Sequence, residues 1–589
     1  MRSFGFWLVL ALTVLVFAAL LELNKNSVWG FIALLALAVL YVIAAAKLPE
    51  GTKWIAKFGL WLLFAALLAG VFLLSWPRTK RVPAAEGRSL SRTETVEVSQ
   101  GSLRGVITAD GRVEVFAGVP YAKPPVGELR WKEPQDPDKW EGVLEADHFA
   151  PMSMQPTSMP LVDSLKQIIG YHDYKISLSD NYVAPVSEDS LYLNIWRPAG
   201  EREKLPVLVF IHGGSLQTGQ PWYGDYSGEG LARQGVIVVN MGYRLGVFGF
   251  MAAEEFAAES PNGTTGNYGL LDQIKALEWV RDNIAAFGGD PENVTVSGES
   301  AGAACVSALC TSPLAKGLFR RAVIESSTVA SKEPPHSFRL FGEAIKSGKE
   351  LMERHNCASV SELRKLSAKE LVSEAYTQHH ITVDGYALTE TPYESYKKGV
   401  HNEEALMHGY NKEESAAFIL FDRTDLKSFE SKVRKTFGEL ADEVLALYPV
   451  SSDREAASAW AEIWGALFFD RAHYDLNVLA AENGIPVYEY TFTKKNGRLG
   501  AWHSGEMVYL YGNVPEGSRL YTERDRELSG EMTAYLLNFV KYGDPNESGL
   551  PAWPVNSASD ELMEFGETTS LIKERKIALY EIMGRMKND

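Results

Sequence analysis

The chain has 589 residues, enough for more than one folded unit, and its 46% apolar and 23% charged residues are the balance of a globular protein. The formal charge of −17 conceals a split: residues 1–92 hold ten Lys/Arg against three Asp/Glu, net +7, and the rest holds 48 against 72, net −24. A body that acidic repels phosphate backbones and argues against a nucleic-acid partner, and three cysteines are too few for a disulfide framework.

The basic end comes first. Phe4–Leu23, Trp29–Ala46 and Phe58–Trp76 are almost wholly apolar, with Glu22 their one acid, at a segment end. At 1.5 Å per helical residue each reaches about 27–30 Å, the hydrocarbon thickness of a bilayer. The connectors Asn24–Val28 and Lys47–Lys57 are short, and Trp7, Trp29, Trp54, Trp61 and Trp76 lie mostly near segment ends, as interfacial anchors do. A cleaved signal peptide accounts for one such segment but not three in succession. The pattern predicts a three-helix transmembrane region over residues 1–77, a multi-pass membrane protein with the lipid bilayer as a partner. One side carries Arg2, Lys47, Lys53 and Lys57, the other Lys25, Arg78, Lys80, Arg81 and Arg88. Four against five assigns no side of the membrane to the body. Residues 78–94 are polar and basic and read as a linker.

Beyond residue 95 the strongest short apolar runs are Val207–Ile211, Val236–Asn240 and Val294–Ser297, with helical patterns such as Tyr268–Ile284 between them. Alternating buried strands and amphipathic helices predict an α/β fold with a mostly parallel central sheet flanked by helices. Any site then lies beyond the carboxyl ends of the strands. The stretch Ser337–Glu439 reads as a mostly helical insertion.

Two motifs sit where predicted strands end. Gly298-Glu299-Ser300-Ala301-Gly302 has the Gly-x-Ser-x-Gly form. Such a pentapeptide is weak evidence alone, since glycine and serine are common. It gains weight between the strand Val294–Ser297 and the small-residue helix Ala301–Leu309, where a serine on a sharp turn stands exposed. His212-Gly213-Gly214-Ser215 follows the strand Val207–Ile211. Glycines there let backbone N–H groups point at a substrate oxygen, though a plain Gly-Gly turn reads the same way.

Further ordered motifs carry a resemblance. Phe116-Ala-Gly-Val-Pro-Tyr-Ala122, Pro124-Pro-Val-Gly-Glu-Leu-Arg130, Glu188-Asp-Ser-Leu-Tyr-Leu-Asn194, Asn267–Gln273, Phe287-Gly-Gly-Asp-Pro291, Gly298–Gly302, Gly543-Asp-Pro-Asn546 and Trp553-Pro554 occur in sequence. With them the chain resembles the type-B carboxylesterases and cholinesterases of the α/β-hydrolase fold, from about Thr95 to Phe565. The resemblance implies a hydrolase domain over 95–589 and a serine carboxylic ester hydrolase acting through an acyl-enzyme on a small-molecule ester. It needs no cofactor and no metal. It implies Ser300 as nucleophile, His503 in Gly500-Ala-Trp-His-Ser-Gly-Glu506 as base, and Glu414 rather than Glu413 in Gly409-Tyr-Asn-Lys-Glu-Glu-Ser415 as the acid. The backbone N–H groups of Gly214, Ser215 and Ala301 correspond to the oxyanion hole.

Two departures stand out. Ser215 replaces the commoner third glycine, which keeps a backbone donor but adds a side chain. Ser190 stands where many secreted members carry a disulfide cysteine, and Pro151–Gln155, the partner region, has none. Cys305, Cys310 and Cys357 read as buried free thiols and His379-His380 as a solvated pair. Some relatives of this family have lost catalysis and serve in adhesion, but here all three triad residues are present. A transport role for the helices lacks any intramembrane charge beyond Glu22.

Overall fold

The computed structural model describes residues 4–79, 81–82, 91–157, 185–200, 203–495, 497, 499–517, 521–555, 561–573 and 576–586. The chain divides into two compact units, one containing Met1–Lys80 and the other Arg81–Pro156 with Val186–Asp589.

The first unit is three helices, α1 (Phe4–Leu23), α2 (Val28–Ala46) and α3 (Trp54–Leu74), each long and apolar enough to cross a membrane. They start within four residues of the expected segments. Leu10, Leu21, Leu34, Tyr41, Phe64 and Leu68 pack between them. The rings of Phe6, Tyr41 and Phe64 stack in series at 5.8 and 4.6 Å. Polar side chains also join the segments: Asn26 Nδ2 donates to Phe72 O and Ser75 Oγ, both at 2.7 Å, and Trp61 Nε1 donates to Thr13 Oγ1 at 3.0 Å.

Most of the linker expected at 78–94 lies outside the described residues. Of those described, Arg81 bridges to His148, Val82 N donates to Asp147 O at 3.0 Å, and Ser91–Arg92 is already a strand.

The second unit is built on a twelve-stranded sheet. Its strands are β1 (Ser91–Arg92), β2 (Val106–Ile107), β3 (Val113–Pro120), β4 (Tyr192–Pro198), β5 (Leu205–Ile211), β6 (Ile237–Met241), β7 (Gly289–Glu299), β8 (Arg321–Glu325), β9 (Ala405–Asn411), β10 (Val487–Phe492), β11 (Glu561–Phe565) and β12 (Thr569–Lys573). In space they run β1-β2-β3-β4-β6-β5-β7-β8-β9-β10-β11-β12. Every pairing from β6 to β11 is parallel and the margins are antiparallel. This is the α/β-hydrolase arrangement that the resemblance implied.

The run Val207–Ile211 is apolar throughout because both faces of the sheet are covered. Val207, Val209 and Ile211 enter one core with helices α4 (Tyr268–Asn283) and α5 (Ala301–Leu309). Leu208 and Phe210 enter another with α6 (Glu523–Tyr542). Period-two alternation is therefore invisible in the sequence and only the strand's length shows.

The stretch Ser337–Glu439 differs from the helical expectation. It holds helices such as Phe341–Arg354 and Leu426–Phe437, but also the fully buried central strand β9. His408, Gly409 and Asn411 interrupt the apolar run of β9 and hide it. At Ser190, a hydrogen bond of 3.0 Å joins its hydroxyl to that of Ser153, so two buried serines link the segments that the departure left without a bridge. Cys305 and Cys310 are buried free thiols, while Cys357 is only half-buried.

Candidate active site

The carboxyl ends of β5, β7 and β9 converge on one serine. Ser300 follows β7 directly and starts α5 with φ 56° and ψ −126°, a conformation disfavoured for a residue with a Cβ. Its neighbours explain how the turn is held. A Cβ on Gly302 would lie 2.0 Å from the carbonyl oxygen of Ile211, and one on Gly298 would lie 2.6 Å from the backbone of Gly302. Both glycines thus let strand and helix approach within backbone contact. Ser300 N donates to Glu325 O at 2.8 Å, anchoring the turn to β8.

The structure brings the three expected side chains into one chain of hydrogen bonds. Ser300 Oγ lies 2.9 Å from His503 Nε2, and His503 Nδ1 lies 2.5 Å from Glu414 Oε2. Glu414 follows β9 closely and its other oxygen accepts from Asn411 N at 2.7 Å. It is 1% exposed. Glu413 points elsewhere, accepting from Ala501 N at 2.9 Å and so holding the histidine loop. Asn411 Nδ2 binds the same loop at Trp502 O, 2.7 Å away.

Three further carboxyls, to which sequence reasoning assigned no role, surround this line. Glu299 Oε1 is 3.4 Å from His503 Nε2 and accepts from Ser504 Oγ at 2.5 Å. Glu506 accepts from Asn411 Nδ2 and, at 3.2 Å, from Ser326 Oγ. Glu325 accepts from Tyr511 OH and Ser297 Oγ, both at 2.8 Å. Burial raises the pKa of all three, Glu506 to about 8 and Glu325 well above the carboxylate range. Burial alone would lower His503, but the charges of Glu414 and Glu299, then the Glu414 hydrogen bond, outweigh it and hold the imidazole at about 9. Glu299 and Glu506 lie inside the quoted motifs, so a signal existed; Glu325 lies in no motif, and only the sheet brings it near. Phe418 and Phe469 pack on the His503 ring at centroid distances of 5.2 and 4.7 Å.

The loop after β5 carries two of the three expected backbone donors, Gly214 and Ser215, and α5 carries the third, Ala301. Gly214 has φ 104°, and Ser215 and Leu216 have φ 56° and 57°, two successive left-handed residues with side chains. The loop is held from several sides. Gln155 Oε1 accepts from Gly219 N at 2.9 Å, Gly246 N donates to Leu216 O at 2.7 Å, and Tyr243 OH donates to His212 O at 2.8 Å. Among the described residues the N–H groups of Gly214 and Ser215 donate to no protein acceptor. Ala301 N is the first N–H of α5, where the helix dipole favours negative charge. Burial lowers His212 to about 4, so it is neutral and structural.

His379 and His380 differ from the solvated pair expected of them. Both are half-buried, their rings 4.2 Å apart.

Residues 92–580 match the sequence profile of the carboxylesterase family. The chain is 33% identical over 492 residues to the fumonisin B1 esterase of Sphingopyxis macrogoltabida, covering 79% of this chain and 85% of that one. It is 32% identical to the para-nitrobenzyl esterase of Bacillus subtilis (strain 168), covering 78% and 92%, and 31% identical to carboxylesterase 3 of Homo sapiens, covering 85% and 91%. Among solved structures, a PNB esterase superposes with a TM-score of 0.69 at 29% identity, over 83% of this chain and 99% of that one.

Proposed function

The chain belongs to the carboxylesterase family and is a hydrolase acting on esters; from that premise we propose a membrane-tethered serine esterase that works through an acyl-enzyme on Ser300. The observation that carries the reading is the unbroken hydrogen-bond line Ser300–His503–Glu414 at 2.9 and 2.5 Å. In this mechanism Ser300 Oγ attacks the ester carbon while its proton passes to His503 Nε2. The carbonyl oxygen becomes an anion facing the N–H groups of Gly214, Ser215 and Ala301. Collapse of the tetrahedral intermediate breaks the bond to the alkoxy oxygen, which takes the proton from His503. Water then repeats the sequence on the acyl-serine and frees the acid. Glu414 keeps the proton of His503 on Nδ1 and stabilises the imidazolium. His503 must be neutral to accept the serine proton, so turnover rises with pH towards the imidazole's value of about 9.

The three N-terminal helices serve as the anchor, holding the enzyme where esters partition into lipid. Ser300→Ala is expected to abolish covalent labelling by an organophosphonate and to lower turnover by at least about 10³-fold, with the thermal melt unchanged. Labelling that survives this substitution, with contaminating esterases excluded, refutes Ser300 as nucleophile. The full chain should sediment with membranes and resist extraction by carbonate at high pH.

A further inference from the structure

A basic cluster that the triad does not use lies one ring away from His503. Phe469 packs on the ring of His503 at 4.7 Å and on that of His336 at 5.6 Å. His336 Nε2 is 3.0 Å from Phe468 O. Two residues later, Phe338–Arg339 forms a short parallel pair with Ile381–Thr382, and Ile381 N donates to Ser337 O at 2.8 Å. That register pairs Arg339 with Thr382 and brings the two segments together, so that the charges of Arg339 and His336 reach His380 and that of Arg339 reaches His379.

The cluster lacks what structural cations normally have. Arg339 is 7% exposed, and its guanidinium is held by neutral acceptors: Phe250 O at 2.6 Å, and Gln378 Oε1 and Thr382 Oγ1 at 3.3 Å. Among the described residues no carboxylate forms an ion pair with it. Glu343 acts on it only from a distance, its own carboxylate capping Leu340 N at 2.9 Å. His379 and His380 are half-buried, and the Nδ1 atom of each is enclosed with no hydrogen-bond partner. The backbone of Ser215, in the loop after β5, is among the groups that act on the His379 ring. Burial, then the charges of His379, Arg339 and His336, push His380 down to about 3, and burial lowers His379 as well, so both imidazoles are neutral. A buried unpaired cation is costly to maintain, and a bound anion removes that cost.

We infer that His379 and His380, backed by Arg339, form a carboxylate-accepting subsite, and that the esters hydrolysed here carry a free carboxylate on one limb. The inference rests on the serine-esterase reading and adds the substrate class to it. The neutral imidazoles donate N–H groups, while the guanidinium behind them supplies the charge.

The test uses the full-length protein in detergent and two pairs of esters. Mono-p-nitrophenyl glutarate against p-nitrophenyl valerate places the carboxylate on the acyl limb; 4-butyryloxybenzoate against phenyl butyrate places it on the alcohol limb. In one pair the acid should have kcat/KM at least about tenfold above its neutral partner, mainly through KM, because the anion is held equally in ground and transition states. Arg339→Gln and His380→Leu should each reduce that ratio about tenfold, the second serving if the buried Arg339 variant does not fold. Calorimetry should show glutarate or 4-hydroxybenzoate binding to the unmodified protein and weakened binding to His380→Leu. Ratios near one in both pairs, or a ratio untouched by His380→Leu, overturn the subsite while leaving the esterase reading intact. Turnover of none of the four esters counts against the esterase reading itself, and carboxylate binding by calorimetry then decides the subsite separately.

Discussion

The two units of this chain use the same residue types in opposite ways. In the helical unit Phe4, Leu15, Leu23, Trp54 and Leu74 are more than three-fifths exposed, and only a thin seam around Tyr41 and Phe64 is buried. In the sheet unit the same side chains fill cores on both faces of β5 and β7, while the charges lie outside. The helices close their backbone hydrogen bonds internally and leave apolar surface outward, which suits hydrocarbon as solvent. The sheet unit hides apolar surface and brings four buried carboxyls, Glu299, Glu325, Glu414 and Glu506, together around His503. Burial in the first unit gives a platform. Burial in the second tunes acids and a base. The contrast places the proposed chemistry in the second unit, and substitutions can break it.

The largest effect is expected from adjacent residues with different neighbours. Glu414→Gln should lower kcat by about 10³–10⁴-fold, because the imidazole loses both its orienting acceptor and its counter-charge. Glu413→Gln, which touches only the loop backbone and Lys495, should cost less than about tenfold. Equal losses would show that the loop's position matters more than the carboxylate on Nδ1. Next comes pH. Glu299 raises His503, so Glu299→Gln should move the ascending limb of kcat/KM towards lower pH, with a gain of up to about tenfold at a fixed pH on that limb. A limb that stays in place, measured from pH 5 to 10 on a soluble ester, would mean Glu299 already holds a proton there. Ser215→Gly should keep kcat/KM within about tenfold, since the proposed donor is a backbone N–H, and should gain about 1 kcal/mol of stability by relieving one of two left-handed residues. A loss of about 10²-fold at unchanged melting temperature would instead implicate the hydroxyl. The smallest effect is expected at the boundary. Removing residues before Arg81, which keeps the Arg81–His148 bridge and the buried Val82, should leave kcat on a short soluble ester within about twofold while abolishing the need for detergent. A truncated protein that melts cooperatively but does not turn over would show that the helices do more than anchor.

How much of this was legible depends on how local each signal is. The apolar helices, the elbow around Ser300 and the helix Ala301–Leu309 are written in consecutive residues, because length, periodicity and two glycines at fixed offsets are enough to specify them. His503 and Glu414 lie 203 and 114 positions from the nucleophile, and no spacing rule selects them; they were reached through the resemblance of their surrounding motifs. Choosing between Glu413 and Glu414 likewise depended on family spacing, and the structure gives the reason, since only one of the two turns inward after β9. Strand β9 escaped because His408, Gly409 and Asn411 break its apolar run; in this strand buried on both sides, His408 Nδ1 meets His473 and Asn411 Nδ2 donates to Trp502 O.

What the sequence determined alone is therefore the division of the chain into an apolar helical end and an acidic α/β body, with a serine poised on a strand-to-helix turn. These follow from local composition and short-range sterics. What only the tertiary structure decided is the proton landscape around that serine. Glu299, Glu325 and Glu506 arrive from three separate strands or loops, and His379, His380 and Arg339 from two more. Each reads on its own as an ordinary solvated charge. Burial and mutual distance set which of them carry charge, and the folded chain alone fixes both.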